Sequence, residues 1–459
     1  MVVEMQKSLK LSALSSNNVN LKQTTQSLIV LALPIIFGQL GQMLIGAGDV
    51  YIATMYSTHS VAAVGVANGV FNPLMLFGIG LMMGVSPTLA YLRGQSQKEN
   101  CSLKTVLIYS VVSSLVITGI MYAVILFVPK MGFAEKMIPS IVSYLKIVTW
   151  SIPFVIIFQG VKEYLQAYEE VLIPNLLTLF AVALNLIVNY ILVFGAFDYP
   201  GMGEIGLAVA SLFTRVFLCL ALLAYIFLKK PLGQYQKGFV GVLFKFSLPI
   251  AFMFFLEVMA FCMVTIFSGQ ISVVAAAANN IVMTLASIAF MVPLSLSSAV
   301  AVKVGHAYGE NNFHEIALYT KSVFLMNLIF IFISCGSFLI FPEYVISFIT
   351  DDPAVIQLSV LLLFIVAVFQ LSDSTQVVLA GILRGLKQTR LPSLIIFIGY
   401  WVIGIPYGHY LAFNQERGAE GLWIGLAISL TFCALWLGVL TLYHLRKLPS
   451  KFDQIVFQP

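Results

Sequence analysis

The sequence predicts an all-α membrane protein, with twelve transmembrane helices in two pseudo-twofold-related six-helix lobes. Three observations predict it. First, 60% of the 459 residues are hydrophobic and only 9% are charged, whereas a soluble globular chain carries about 25% charged residues. So few charges cannot cover a surface that faces water, and the mean hydropathy of +0.98 agrees. Second, apolar runs of the length needed to cross a bilayer, about 20 residues, recur between charged or Gly/Pro punctuation. Third, the chain repeats itself at a fixed offset.

The runs fall near 26–54, 61–91, 105–128, 138–161, 171–195 and 204–228, and then near 245–268, 275–302, 318–341, 355–380, 391–413 and 419–443. A polar tail (1–25) without the apolar core of a signal peptide precedes them. The lobes are expected over 26–228 and 245–446, joined by a basic linker at 229–244 and followed by a tail at 447–459. Pro34, Pro153, Pro249, Pro293 and Pro406 lie within spans and are expected to kink them.

Orientation follows from the loops, because Lys and Arg collect on the cytosolic side. Alternate loops hold nineteen of them, from Lys7, Lys10 and Lys22 through Arg93, Lys98 and Lys104 to Arg446, Lys447 and Lys451, against three (Lys130, Lys136 and Arg417) on the other side. Both termini are therefore expected in the cytosol, as an even number of spans requires. The formal net charge of +5 is accounted for in this way and calls for no nucleic-acid partner.

The repeat is read from punctuation. Pro34 and Pro249 differ by 215, as do Gly94 and Gly309, and as do the pair Gly203 and Gly206 and the pair Gly418 and Gly421. Pro174 and Pro392 differ by 218. Two six-helix halves share one orientation, because six is even. Such repeats are related by an axis along the membrane normal, with the substrate site at their interface.

Charged side chains inside spans are expensive and point to function. Glu257 lies twelve residues after Lys245, about 18 Å along a helix. Asp373 lies eleven residues before Arg384, about 16 Å along. Asp49 follows Pro34 by fifteen residues and should sit in the outer half. Each acid can be a structural partner or a member of a wet cavity. In a cavity it would exchange a proton or an alkali cation and attract a cationic substrate. Hydroxyls at Ser372 and Ser374 would suit a hard cation.

Other polar groups sit at similar depth. Arg215 is too deep to reach either surface easily and is expected to pair with an acid or with backbone carbonyls. Lys146 sits near an outer helix end, where it can snorkel. Asn185 and Asn189 are one helical turn apart and share a face, for a contact between helices or for the cavity wall. Gln42 precedes Asp49 on the same side of its helix, and Asn279 and Asn280 open the eighth span. The 36 Phe, 19 Tyr and 17 Met would let a cavity accept varied apolar cations. Soluble-enzyme chemistry has no support: there is no Walker A loop, no HExxH, no nucleophile triad signature, and the five His and five Cys are scattered.

These residues resemble the multidrug and toxic compound extrusion (MATE) transporters, most closely the bacterial NorM-type branch. The resemblance rests on Pro34, Gln42 and Asp49, on LPIAFMFFLEV around Glu257, on LNLIVNY at 184–190, on KVGHAYGE at 303–310, and on LLLFIVAVFQLSDSTQVVLAGILRG at 361–385. It implies a monomeric antiporter of the inner membrane, without a cofactor, that exports organic cations by alternating access, driven by Na+ or H+. It also implies that Glu257 and Asp373 couple the ion, as a Na+ site, and that Asp49 takes a proton or the substrate's charge. Some relatives carry Tyr four residues before the second-half Asp, where this chain has Phe369 and so lacks that hydroxyl. A lipid-linked saccharide flippase of the same superfamily is the alternative. At the offset of 215, Glu257 corresponds to Gln42 and Asp49 to Val264, so the lobes place their charges differently. Asp49 is expected to face a cavity whose opposite wall carries Glu257 and Asp373.

Overall fold

The computed structural model describes residues 20–96, 102–133, 135–195, 200–347 and 349–456. Lys7, Lys10 and Lys98 of the orientation count, Cys101, the side chain of Lys451, and most of the predicted N-terminal tail lie outside them. The described residues are helical almost throughout and contain no strand. Among the described residues eleven helices are long and apolar enough to cross a membrane, twelve with one bent pair counted as a single span.

In the first half of the sequence the helices are α1 Leu21–Tyr56, α2 Thr58–Met82, α3 Val85–Gly94, α4 Leu103–Phe127, α5 Ile138–Thr149, α6 Ile152–Ala167, α7 Leu172–Phe194 and α8 Glu204–Lys229. In the second half they are α9 Phe239–Ile271, α10 Val273–Gly309, α11 Phe313–Ile340, α12 Pro342–Ser347 and α13 Pro353–Gly385. α14 Arg390–Phe397 and α15 Ile405–His409 follow, and α16 Gly418–Val456 ends the chain.

Short polar residues set the helix starts. Asn20 accepts from the Gln23 backbone N–H at 3.0 Å while the Gln23 side chain accepts from the Asn20 N–H at 3.1 Å, a reciprocal capping box. Ser57, Ser272, Asn312 and Asp352 cap α2, α10, α11 and α13, each satisfying an N–H that the helix leaves open. Two expectations shift. The span expected at 138–161 is bent by 41° between α5 and α6, because the chain breaks at Trp150 and Ser151 ahead of Pro153. The linker is shorter than expected, since α9 begins at Phe239 and takes in Lys245. What remains is pinned to the start of α4, where the Lys104 N–H donates to the Leu232 carbonyl at 2.8 Å.

The prolines act unequally. Pro153 sits at the break and Pro406 opens α15 between two π-helical stretches, Ile398–Gly404 and Tyr410–Asn414. Pro34, Pro249 and Pro293 lie inside unbroken helices.

The contacts divide the chain into two compact units. Unit 1 holds residues up to Leu33, Ala90–Ser96 and everything from Leu256 onward, and unit 2 holds Pro34–Leu89 and Gln97–Phe255. Three of the four crossings, at Leu33, Leu89 and Phe255, fall inside helices, so helical segments group by what they pack against. Within unit 1, Gly94 and Gly309 meet reciprocally. A Cβ on Gly94 would overlap the His306 carbonyl, and one on Gly309 would overlap the Tyr91 carbonyl. Only glycine permits two backbones this close.

Candidate functional site: two buried carboxylate clusters

In unit 2, glycines on α1 bring it against α7. A Cβ on Gly38 would overlap Asn175, one on Gly41 would lie 3.3 Å from Thr178 Cγ2, and one on Gly48 would lie 2.9 Å from Leu186 Cδ2. With that face pressed on α7, Asp49 reaches both asparagines one turn apart. Asn189 Nδ2 donates to Asp49 Oδ1 at 2.7 Å and Asn185 Nδ2 donates to the same oxygen at 3.2 Å. Ser211 Oγ, from α8, donates to Oδ2 at 2.6 Å. Asp49 is buried, as are Asn185, Asn189, Ser211 and Thr214. A carboxylate removed from water keeps its charge tolerable only through such donors.

The sequence left Asn185 and Asn189 between two roles; here they contact Asp49 across helices. Gln42 is half-buried and supplies none of the contacts to Asp49. Arg215 lies one turn beyond Ser211 on α8. Its direct partner is a hydroxyl rather than an acid: Nη1 donates to Ser151 Oγ at 2.7 Å, at the break between α5 and α6, and the guanidinium lies 5.2 Å from the Phe71 ring centre. The expected contact with an acid is replaced by a longer-range interaction with Asp49. Lys146 is exposed.

In unit 1, Glu257 on α9 and Asp373 on α13 are both buried and close enough to repel one another when both are charged. Glu257 Oε1 accepts from the Tyr400 hydroxyl at 3.2 Å and from Gln376 Nε2 at 3.4 Å. Gln376 lies one turn after Asp373 on the same helix, so a neighbour of one acid in the chain donates to the other. Asp373 Oδ1 and Gln376 Oε1 are buried oxygens without a hydrogen-bond partner. The hydroxyls expected to help are directed elsewhere. Ser374 Oγ donates to the Gln370 carbonyl at 2.7 Å, and Ser372 Oγ pairs with Thr431 Oγ1 at 2.9 Å.

Phe369 is buried in an aromatic cluster, with ring centres 6.2 Å from Phe261 and 5.7 Å from Trp423. The Tyr400 ring joins it, 6.2 Å from Phe261. Trp423 Nε1 donates to Asn279 Oδ1 at 3.1 Å, so Asn279 is the buried member of its pair and Asn280 is exposed. The hydroxyl absent at Phe369 has a counterpart in Tyr400, which sits in the π-helical stretch Ile398–Gly404. A π turn is wider than an α turn and is frequent at functional sites. It packs on α16 through glycine: a Cβ on Gly399 would overlap Cys433 Sγ, and one on Gly404 would lie 2.6 Å from Ser429 Cβ.

Sequence reading missed Ser211, Tyr400 and Gln376. Ser211 lies four residues before Arg215, a spacing that could have flagged it. Tyr400 is one of 19 tyrosines and carries no local mark except the glycines around it. Gln376 lies one turn from Asp373, within reach of the same helical-face argument used for the asparagines.

Membrane-length helices throughout, with buried acids in each compact unit, define a polytopic all-α membrane protein. The MatE family profile matches residues 34–191 and again 249–409, two copies whose starts differ by 215 and whose ends differ by 218, the same two offsets read from the prolines. The chain belongs to the MatE family of transporters. It is 30% identical to the multidrug resistance protein NorM of Vibrio parahaemolyticus, over 94% of this chain and 97% of that one. It is 28% identical to NorM of Photobacterium profundum, over 95% and 98%. Among solved structures it is similar in fold to the eukaryotic MATE transporter AtDTX14, with a TM-score of 0.83 at 16% identity over 94% and 99% of the two chains. A Pyrococcus furiosus transporter of the MOP superfamily, described as having a binding pocket of reverse polarity, gives a TM-score of 0.84 at 17% identity over 93% and 97%.

Proposed function

We propose that this protein is a cation-coupled antiporter that exports organic cations by alternating access, with Na+ or H+ as the coupling ion. The observation that carries the reading is Asp373 Oδ1, a buried carboxylate oxygen without a partner beside a second buried carboxylate, Glu257. Two such acids are tolerated in a membrane interior only when a proton or a cation neutralises them. Asp373 Oδ1, Gln376 Oε1 and the Glu257 carboxylate supply the hard oxygen ligands an alkali cation takes. Glu257 and Asp373 are therefore assigned to ion coupling, and Asp49 to a proton or to the substrate's charge. The name of the NorM relatives, multidrug resistance protein, supports efflux of varied organic compounds. The protein would sit in the inner membrane as a monomer, with both termini in the cytosol and two lobes at 26–228 and 245–446.

A lipid-linked saccharide flippase is the alternative, and the deep cation Arg215 favours it; the buried acids Asp49, Glu257 and Asp373 favour a cationic cargo. The test is ethidium export from proteoliposomes under an imposed sodium gradient and then under an imposed proton gradient. One gradient should drive export, and Asp373→Asn and Glu257→Gln should each abolish it while the protein still inserts. Full gradient-driven export in both variants would refute the assignment, and binding of a polyprenyl pyrophosphate without binding of ethidium would select the flippase.

A further inference from the structure

We propose that Arg215 is a built-in counter-cation for Asp49, and that it makes the first-half acid unavailable to the alkali cation that the second-half pair takes. The inference rests on the reading above that Glu257 and Asp373 hold the coupling ion. It assigns a role to Arg215, a deep cation which that reading leaves unused.

The geometry is that of a satisfied carboxylate with a fixed positive charge close by. Asp49 Oδ1 accepts from Asn189 and Asn185, and Oδ2 accepts from Ser211. Neutral donors therefore occupy the acid on both oxygens. Ser211 and Arg215 are four residues apart on α8 and so share a face. The residue that clamps Asp49 thus sits one turn from the cation. Arg215 is held in place by Ser151, at 2.7 Å, and by the face of Phe71, so its charge is not free to withdraw. Its electrostatic partners are Asp49 and the buried Tyr144. A guanidinium cannot be deprotonated in a protein, so this positive charge is present at every working pH. A second cation entering at Asp49 would be repelled by it through a medium of low dielectric. Among the described residues no cation acts on Glu257 or Asp373, and there Asp373 leaves an oxygen unpaired.

The experiment measures sodium-specific thermal stabilisation of the purified full chain in detergent, NaCl against choline chloride at equal ionic strength. In the Glu257→Gln/Asp373→Asn background no sodium-specific shift should remain. Adding Arg215→Met, or Arg215→Gln if the methionine variant does not fold, should create one that saturates with NaCl and is absent in choline chloride. Adding Asp49→Asn should remove it again, and Arg215→Lys should leave the background silent. The proposal is overturned if the background itself shows a sodium shift that Asp49→Asn abolishes, an arm that needs no change at Arg215. It is overturned equally if folded Arg215→Met or Arg215→Gln protein gains no sodium response. Failure of the wider reading would appear instead in transport, as export that survives loss of Glu257 and Asp373.

Discussion

Asp49 gives both of its oxygens to neutral donors, whereas Asp373 keeps one buried oxygen without a partner and stands near Glu257. The two clusters occupy related halves of a duplicated chain. The first is assembled like a structural anchor: an acid, two amides and a hydroxyl from three helices, with Arg215 alongside. The second is assembled like an exchange site, with two acids for few donors. The difference teaches that a buried acid is not by itself a transport site. The ratio of donors to charges decides whether it can let go of what neutralises it.

The largest effect should come from the cluster with the deficit. Asp373→Asn should reduce gradient-driven export to background, while Asp49→Asn retains gradient dependence and shifts the pH dependence of export instead. Equal loss of coupling in both would erase the contrast. Next, Asn189→Leu should destabilise by about 1–3 kcal/mol, the usual effect of leaving a buried acceptor short of a donor, read as a lower melting temperature in detergent. Overpacking at Gly399 should act in the same range: Gly399→Val collides with Cys433 and should cost about 1–3 kcal/mol while weakening the ion response through Tyr400. Tyr400→Phe removes one donor from Glu257 and should weaken ion affinity by about fivefold, equivalent to roughly 1 kcal/mol. An unchanged ion titration would mean that Tyr400 only packs.

The smallest effect lies outside both clusters. Glu310, just past the end of α10, is held below the usual carboxylate range by a hydrogen bond with His306, 3.4 Å away, aided by the charges of His306 and Arg93. A folded-state value below the unfolded one means that its contribution is complete above the unfolded value, about 4.3, and fades as pH falls through the folded one. The side chain is 41% exposed, so the contribution is no more than about 1 kcal/mol. Glu310→Gln should flatten the acid limb of the melting curve and leave its value at neutral pH nearly unchanged.

Much of this was legible in the sequence because a bilayer simplifies the code. Length and apolarity mark a span, and punctuation marks its ends, so the helices at 171–195 and 204–228 emerge within a residue or two of α7 and α8. Asn185, Asn189 and Asp49 were legible as candidates because polar residues are scarce at that depth. Their union was not, because it depends on Gly38, Gly41 and Gly48 lying on one face of α1, a property of packing and not of any one glycine. Tyr400 was not legible either. A π turn rotates every later side chain relative to α-helical periodicity, so the face on which Tyr400 lies does not follow from spacing. The bend at Trp150 was hidden for a related reason: Pro153 could kink a helix or begin one, and only the partner of Ser151, Arg215, accompanies the second outcome.

The meeting of Gly94 with Gly309 carries a consequence about ancestry. At the repeat offset, His306 is the counterpart of Tyr91, so Gly94 touches the counterpart of the residue that Gly309 touches. Reciprocal contacts of this form are those of an isologous interface between two identical subunits. Such a pair is what fusion of two copies of one gene would leave at the centre of a former two-fold contact. Elsewhere the copies differ, as at Asp49, whose counterpart at the repeat offset is Val264. At this contact neither copy could change alone, because each glycine makes room for the backbone of the other.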